Sequence, residues 1–168
     1  ERVAVPTGIS ADGRYLLYFE ATGTDASSGV RNVGGDLMIL PLTGDRKPSV
    51  LWSTKGAQIW GSLSPDGQWL VYQSEESGEA EVYVRRFTSP DLGAEGKVAK
   101  GGQWQVSAAG GAVPVWRRDG KEIYFLDPGG AMMAAEFAGG GATPVVSQPV
   151  KLFQTRILGG GGFGQRRH

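Results

Sequence analysis

The sequence predicts an all-β protein built from a repeated unit of four antiparallel strands. An Asp-Gly pair recurs at a fixed spacing, and several short apolar runs separate each pair from the next. The pairs are Asp12-Gly13, Asp66-Gly67 and Asp119-Gly120, so the spacings are 54 and 53 residues. A period of this length is typical of solenoids, propellers and arrays.

Each Asp-Gly pair is predicted to close a β-hairpin. Glycine adopts positive φ without strain, and an aspartate carboxylate can accept hydrogen bonds from nearby backbone N–H groups. In the central copy Pro65 sets φ just before the turn, and the β-forming run Trp69–Tyr72 follows it. We therefore interpret the six residues as structural turn residues, and not as ligands or acids: Asp12, Gly13, Asp66, Gly67, Asp119 and Gly120.

The first period contains four apolar runs. A β-prone lead-in over 3–9 precedes the turn, and the unbroken run Tyr15–Phe19 follows it. Such a run predicts a strand that is buried on both faces. A loop rich in glycine, serine and threonine over 21–35 separates it from two further strands, at 37–40 and 50–52.

The second and third periods repeat this order. Strands are expected at 81–87 and 104–107, with a long loop between them over 89–102. Pro114 lacks an N–H group, so its strand should lie at a sheet edge or have a short ladder. The segment 131–137 has helical propensity, but the repeat favours a strand. The approximate repeats are 9–62, 63–115 and 116–168 within one partial domain, and the next Asp-Gly would fall beyond His168, which indicates a fragment.

Composition excludes several kinds of site. The 17 basic and 17 acidic residues balance, which argues against nucleic-acid binding through a strong basic surface. The sequence has no cysteine, so neither a disulfide nor a thiolate metal site can form. No apolar run approaches the ~20 residues that a membrane-spanning helix needs, so this segment is not expected to insert into a membrane. Because the sequence begins at Glu1, we expect any targeting segment to lie upstream.

The central copy resembles a known repeat. Leu63-Ser64-Pro65-Asp66-Gly67, then Leu70-Val71-Tyr72 and later Glu81-Val82-Tyr83-Val84, is similar to the TolB-type or WD40-like (PD40) β-propeller repeat. The flanking copies have Ala11 and Arg118 in place of the proline. The resemblance covers the whole chain and implies an open arc of about three four-stranded antiparallel blades.

A narrower resemblance concerns the second half of the chain. Val82–Phe87, Trp104–Ser107 and Pro114–Glu122 are similar to the propeller at the C-terminal end of some bacterial serine/threonine protein kinases. Related propellers also precede the hydrolase domain of prolyl-oligopeptidase-type peptidases. No sequence of either catalytic domain is recognised in this segment.

Other patterns offer no catalytic or cofactor site. Gly159–Gly164 formally satisfies G-x-G-x-x-G, but a dinucleotide site needs a helix and an acid after it. His168 is the only histidine and is terminal, and no G-x-S-x-G nucleophile elbow is present. Glu75-Glu76 and the nearby pair Glu79 and Glu81 are expected to form a solvated charged face. We therefore predict no catalytic residue, no metal and no cofactor.

Aromatic and basic residues are the remaining candidates for a surface. Trp69 and Trp116 occupy repeat-equivalent positions and are expected in the core or at blade interfaces. The pairs Arg85-Arg86 and Arg117-Arg118 could line one face and meet an anionic partner, although solubilising the surface is the simpler role.

The leading hypothesis is a non-catalytic propeller module that acts as a binding, sensor or scaffold unit of a larger protein, such as a bacterial serine/threonine kinase. The alternatives are a gating propeller of a prolyl-oligopeptidase-type peptidase and a TolB-like envelope protein. The expected partner is a protein or small ligand on a propeller face, and the resemblance favours an extracytoplasmic or periplasmic location.

Because an arc lacks neighbours at its ends, Tyr15–Phe19 or Ile123–Leu126 should be partly uncovered, and the isolated segment should aggregate or be marginally stable.

Overall fold

The computed structural model describes residues 2–22, 35–87, 102–141 and 143–156. Within these ranges the chain forms three antiparallel sheets, which we call blades 1 to 3. Blade 1 contains β1 (Arg2–Ile9), β2 (Tyr15–Thr22), β3 (Leu37–Pro41) and β4 (Ser49–Trp52). Blade 2 contains β5 (Gln58–Leu63), β6 (Trp69–Ser74), β7 (Glu81–Arg86) and β8 (Gln103–Gln105). Blade 3 contains β9 (Ala112–Trp116), β10 (Glu122–Leu126), β11 (Ala131–Ala138), β12 (Val145–Val146) and β13 (Val150–Gln154).

The three sheets stand side by side as blades of an unclosed propeller arc. In each blade the strands pair in chain order, and in blade 3 the fourth position is shared by β12 and β13, which both pair with β11. The first strand β5 contacts both β1 and β9, so the first strands lie nearest a common axis. The described residues contain no helix long and apolar enough to cross a membrane. The predicted all-β propeller fragment is confirmed, and segment 131–137 is a strand.

Two apolar clusters hold the blades together, one on each face of blade 2. Side chains alternate along β6, so Leu70 and Tyr72 pack against blade 1 while Trp69 and Val71 pack against blade 3. Every residue of β6 is buried. This explains why the run at 69–72 is apolar without interruption, as expected for a strand with covered faces on both sides.

The first strand of each blade carries a β-bulge. The register of pairing shifts between Pro6 and Gly8 in β1, and between Ile59 and Ser62 in β5. A similar shift occurs where β9 pairs with β10. Trp60 and Val113 take φ values of 55° and 52° there, which are strained conformations for bulky residues. The bulges occur at equivalent positions in the three first strands, and each changes the direction of the side chains that lie nearest the axis.

Side chains near these bulges tie the blades together. Thr7 Oγ1 donates to the carbonyl of Gly61 at 2.6 Å, and Trp116 Nε1 donates to the carbonyl of Ser62 at 3.1 Å. Each bond spans one repeat of 54 residues. Pro114 lies in β9, the edge strand of its sheet, as predicted.

In the terminal blades 1 and 3, the half-buried residues of the second strand alternate with buried ones. In β2, Leu16 is half-buried while Tyr15 and Leu17 are buried; in β10, Tyr124 and Leu126 are half-buried. Each terminal blade buries one face against blade 2, so only the opposite face is left open. The predicted loops at 21–35 and 89–102 lie mostly outside the described residues, and so do Gly159–Gly164 and His168.

Candidate functional site: a groove between blades 2 and 3

The Asp-Gly turns of blades 1 and 2 share one hydrogen-bonding pattern. Ser10 Oγ donates to Asp12 Oδ1 at 2.6 Å and accepts the N–H of Tyr15 at 3.0 Å, while the same Oδ1 accepts the N–H of Arg14 at 3.0 Å. Ser64 and Asp66 repeat these contacts in blade 2. The glycines Gly13 and Gly67 have φ of 69° and 68°, the left-handed conformation that favours glycine. In both turns the carboxylate satisfies backbone and hydroxyl donors of its own turn.

Blade 3 replaces the serine with an arginine. Arg117 donates to both oxygens of Asp119, at 2.7 and 2.9 Å, and also pairs with Glu122 at 2.7 Å. The hydrogen bond from Arg117 lowers the pKa of Asp119 from 3.8 to about 2, with help from the N–H of Lys121. In blade 1 the hydrogen bond from Ser10 and those from Arg14 lower the pKa of Asp12 to about 2.

The three turns differ in whether a cation neutralises the aspartate. Arg14 pairs with Asp12 at 2.7 Å, and Arg117 pairs with Asp119 at 2.7 Å. Blade 2 has Gln68 where blade 1 has Arg14, and no basic side chain of the described residues forms an ion pair with Asp66. Asp66 is exposed, and its Oδ2 has no donor among the described residues.

The Asp66 turn opens onto a groove of about 300 Å³ between blades 2 and 3, which we call the turn groove. Trp69 and Phe137 form its apolar floor, with their rings edge to face at 5.2 Å. The guanidinium of Arg86 lies over the Trp69 ring, 4.8 Å from its centroid. Arg86 is exposed and has no acidic partner among the described residues.

Glycine at 139 shapes the wall of the turn groove. A Cβ at this position would lie 2.3 Å from Trp69 Nε1 and 2.8 Å from Phe137 Cε1, which is closer than real side chains approach. The backbone therefore passes directly against the indole. Trp69 Nε1 is buried and has no hydrogen-bond partner within the part of the chain that the structure describes.

The two arginines of blade 2 point in opposite directions. Strand alternation places Arg86 at the turn groove and buries Arg85 completely on the other face of β7, with its guanidinium 3.3 Å from the centroid of Trp52. Burial lowers the pKa of Arg85, while the nearby Tyr72 favours its charged form. The idea that Arg85-Arg86 line one face together is wrong.

Glu81 also departs from the sequence-based expectation. Its carboxylate is buried, accepts a hydrogen bond from the Ser107 hydroxyl and accepts the N–H of Gly110 at 3.1 Å. Ser107 Oγ in turn accepts the N–H of Val82 at 2.8 Å. Glu81 therefore holds the segment after β8 against β7, and its assignment to a solvated face is wrong.

The turn groove brings together parts of two predicted turns. Asp66 lies on one side and Asp119 and Gly120 on the other, whereas Asp12 and Gly13 do not line it. Sequence reasoning missed Phe137, Gly139 and the role of Arg86, because their proximity depends on how blade 3 packs. Among the described residues, no group of three histidine, cysteine, aspartate or glutamate side chains could hold a metal ion. The turn groove therefore presents a carboxylate, Asp66, and a guanidinium, Arg86, which do not pair with each other and lie beside two aromatic rings.

Comparison with known proteins places the chain by its fold. No protein-family model matches the sequence, and no curated protein matches it either. Solved structures do match. TolB from Acinetobacter baumannii superimposes with a TM-score of 0.60 at 18% identity, over 92% of this chain and 33% of that one. A TolB-type protein from Agrobacterium tumefaciens gives 0.56 at 17% identity, over 90% and 51%.

A third neighbour is the periplasmic gluconolactonase PpgL from Pseudomonas aeruginosa, with a TM-score of 0.55 at 19% identity over 89% of this chain and 42% of that one. The chain thus spans about half or less of the length of these neighbours. At such low identity the likeness shows the fold alone. The chain has the fold of a TolB-like β-propeller.

Proposed function

We propose that this segment is a non-catalytic binding module, serving as a sensor or scaffold, and that the turn groove binds an extended peptide segment of a partner protein. One observation carries the proposal. Of the three Asp-Gly turns, the one in blade 2 leaves its aspartate without a cation, and it opens onto the turn groove.

The charges around the turn groove define the ligand. Asp66 offers one carboxylate oxygen to a basic group, and Arg86 offers guanidinium donors to an acidic group. Asp119 contributes little, because Arg117 already neutralises it. Trp69 and Phe137 line the floor of the turn groove, but they are only 1% and 7% exposed, so they offer a ligand little apolar surface. A peptide that carries one basic and one acidic side chain, spaced to reach Asp66 and Arg86, satisfies both charges.

We propose that no residue of this chain is catalytic. The turn aspartates of blades 1 and 3 are engaged with Arg14 and Arg117, which leaves them poor acids or bases for a substrate. Because one structural neighbour is a gluconolactonase, lactone hydrolysis is the activity to test.

We propose that the larger protein is a bacterial serine/threonine kinase, supported by the motifs between Val82 and Glu122. The alternatives are the gating propeller of a prolyl-oligopeptidase-type peptidase and a TolB-like envelope protein. The periplasmic neighbour favours an extracytoplasmic location. The balanced net charge disfavours nucleic acid as the partner.

The test is a binding scan by fluorescence polarisation. The probes are labelled octapeptides with one lysine and one glutamate at varied spacing around a leucine. We expect the best-bound peptide to lose about 1.5- to 5-fold in affinity in Arg86→Gln and in Asp66→Asn, since an exposed ion pair contributes roughly 0.2–1 kcal/mol.

The matched controls are Lys47→Gln and Asp45→Asn, whose side chains in blade 1 are 84% and 85% exposed and should leave binding unchanged. If no peptide binds, or if the groove variants bind as tightly as the controls, the proposed ligand is wrong. Turnover of glucono-δ-lactone above the buffer rate would instead overturn the non-catalytic assignment.

A further inference from the structure

One buried donor of the turn groove has no acceptor. The indole nitrogen of Trp69 is enclosed, and no group of the described residues accepts its hydrogen. The Trp69 side chain is 1% exposed and lines the turn groove. A buried donor without an acceptor costs free energy, and such groups are rare in folded proteins. The unpartnered N–H therefore marks a place where an acceptor on a ligand would be favoured.

The backbone that covers this nitrogen is a run of glycines. We call Gly139–Gly141 the glycine strap, and it follows Ala138, the last residue of β11 that pairs with β12. A Cβ on Gly139 would lie 2.3 Å from Trp69 Nε1, so the strap lies directly on the indole. Among the described residues no hydrogen bond holds the strap, and a Cβ at Gly140 would meet nothing within 4 Å. Because glycines change backbone conformation at little steric cost, the strap can lift from the indole without breaking a described hydrogen bond.

The same ring carries the cation of the turn groove. The guanidinium of Arg86 lies 4.8 Å from the centroid of the Trp69 ring, and Arg86 has no acidic partner among the described residues. A carboxylate has two oxygens and accepts several hydrogen bonds. Because Nε1 belongs to the ring that Arg86 covers, one carboxylate beside this ring can accept from both donors once the strap is lifted. Hydrogen bonds between a cation and a carboxylate are also stronger than those between neutral groups.

We propose that the glycine strap lifts when the ligand binds, and that the indole N–H of Trp69 and the guanidinium of Arg86 together hold the ligand's carboxylate. This inference rests on the proposed function, since it specifies how the turn groove takes the acidic side chain of its peptide. A carboxylate suits the site better than an amide, because both protein groups are donors and one is charged. In the free protein the lifted state is the minor one, so the need to lift the strap lowers the apparent affinity.

The first experiment follows the indole N–H of Trp69 by NMR of the isotope-labelled chain, and its signal is the one that Trp69→Phe removes. In Gly139→Ala the added methyl group does not fit on the indole, so the strap is held off it and this N–H should exchange with solvent faster than in wild type. Acetate, and not acetamide, should then move the signal downfield as the N–H gains an acceptor. The matched control is Gly8→Ala in β1, where a Cβ would meet nothing within 4 Å and the Trp69 signal should behave as in wild type.

The second experiment measures peptide affinity in the same variants. If the lifted state is about 10% populated in the free wild type, Gly139→Ala should bind the best peptide of the scan about 10-fold more tightly. A strap that must stay on the indole for binding predicts the opposite sign. Trp69→Phe should bind at least about 10-fold more weakly, because it loses a hydrogen bond to a charged group, and circular dichroism checks that it is folded. In wild type the peptide should move the Trp69 signal downfield, and its glutamine analogue should not.

The outcomes separate this inference from the proposed function. Peptide binding that leaves the Trp69 signal unmoved, or that Gly139→Ala does not tighten, would overturn the inference and leave the proposed function standing. A response of the signal to acetate without binding of any peptide would support the carboxylate site and overturn the peptide ligand. If neither acetate nor any peptide moves the signal, both are wrong. Should Gly139→Ala fail to fold, the response of the wild-type signal to the peptide decides the inference by itself.

Discussion

Replacing Trp69 with alanine is expected to lower the free energy of unfolding by about 3–5 kcal/mol, the usual cost of removing a buried tryptophan or phenylalanine side chain. Trp69 is 1% exposed and its ring packs edge to face on Phe137 at 5.2 Å and on Trp104 at 5.8 Å. Its loss leaves a cavity at the centre of the contact between blades 2 and 3. Urea denaturation followed by circular dichroism measures the effect.

The control for this substitution is Val145→Ala. Val145 lies in β12, is 69% exposed and belongs to neither apolar cluster, so its truncation should change stability by less than about 0.5 kcal/mol. If Trp69→Ala lowered the free energy of unfolding by less than about 1 kcal/mol, blades 2 and 3 would not be packed as described, because a cavity of this size costs several times more.

Leu17→Ala tests the other face of blade 2, with an expected cost of about 2–5 kcal/mol. Leu17 is 1% exposed and belongs to the cluster between blades 1 and 2, together with Leu37 and Tyr72. The same truncation at Leu152, which is 51% exposed in β13, should cost about 0.5 kcal/mol or less. Equal costs at the two leucines would mean that blade 1 does not bury this face on blade 2.

The hairpins were predictable because their determinants are local. Asp66 and Gly67 lie within five residues of every atom that orders their turn, and the same holds for Asp12 and Gly13. The buried strand β6 could also be recognised, since its unbroken apolar run over 69–72 is typical of a strand covered on both sides. The similar run Tyr15–Phe19 in blade 1 is covered on one face by blade 2, while Leu16 on the other face is half-buried, so the prediction of two buried faces is wrong there. The repeat then gave the order of strands and the number of blades.

The turn groove was not predictable, because it depends on contacts between blades. Arg85 and Arg86 are neighbours in sequence, yet one is buried on Trp52 and the other lies at the turn groove. In the sequence Gly139 resembles an ordinary turn residue, and only the position of Trp69 shows that a side chain there would collide with the indole. Glu81 looks solvated until Ser107 and Gly110 are placed beside it. The sequence signal that could have been used was Gln68, which breaks the pairing of acid and base that Arg14 makes in blade 1.

Blade 2 is enclosed between two packed blades, and amide hydrogen exchange tests this arrangement most directly. β6 and β7 are interior strands of a sheet whose two faces are both covered, so their amides should be the slowest to exchange. Those of β13, an edge strand with every residue exposed, should be among the fastest of the described strands. Rapid exchange across 69–86, or equal protection in β6 and β13, would contradict the three-blade arrangement.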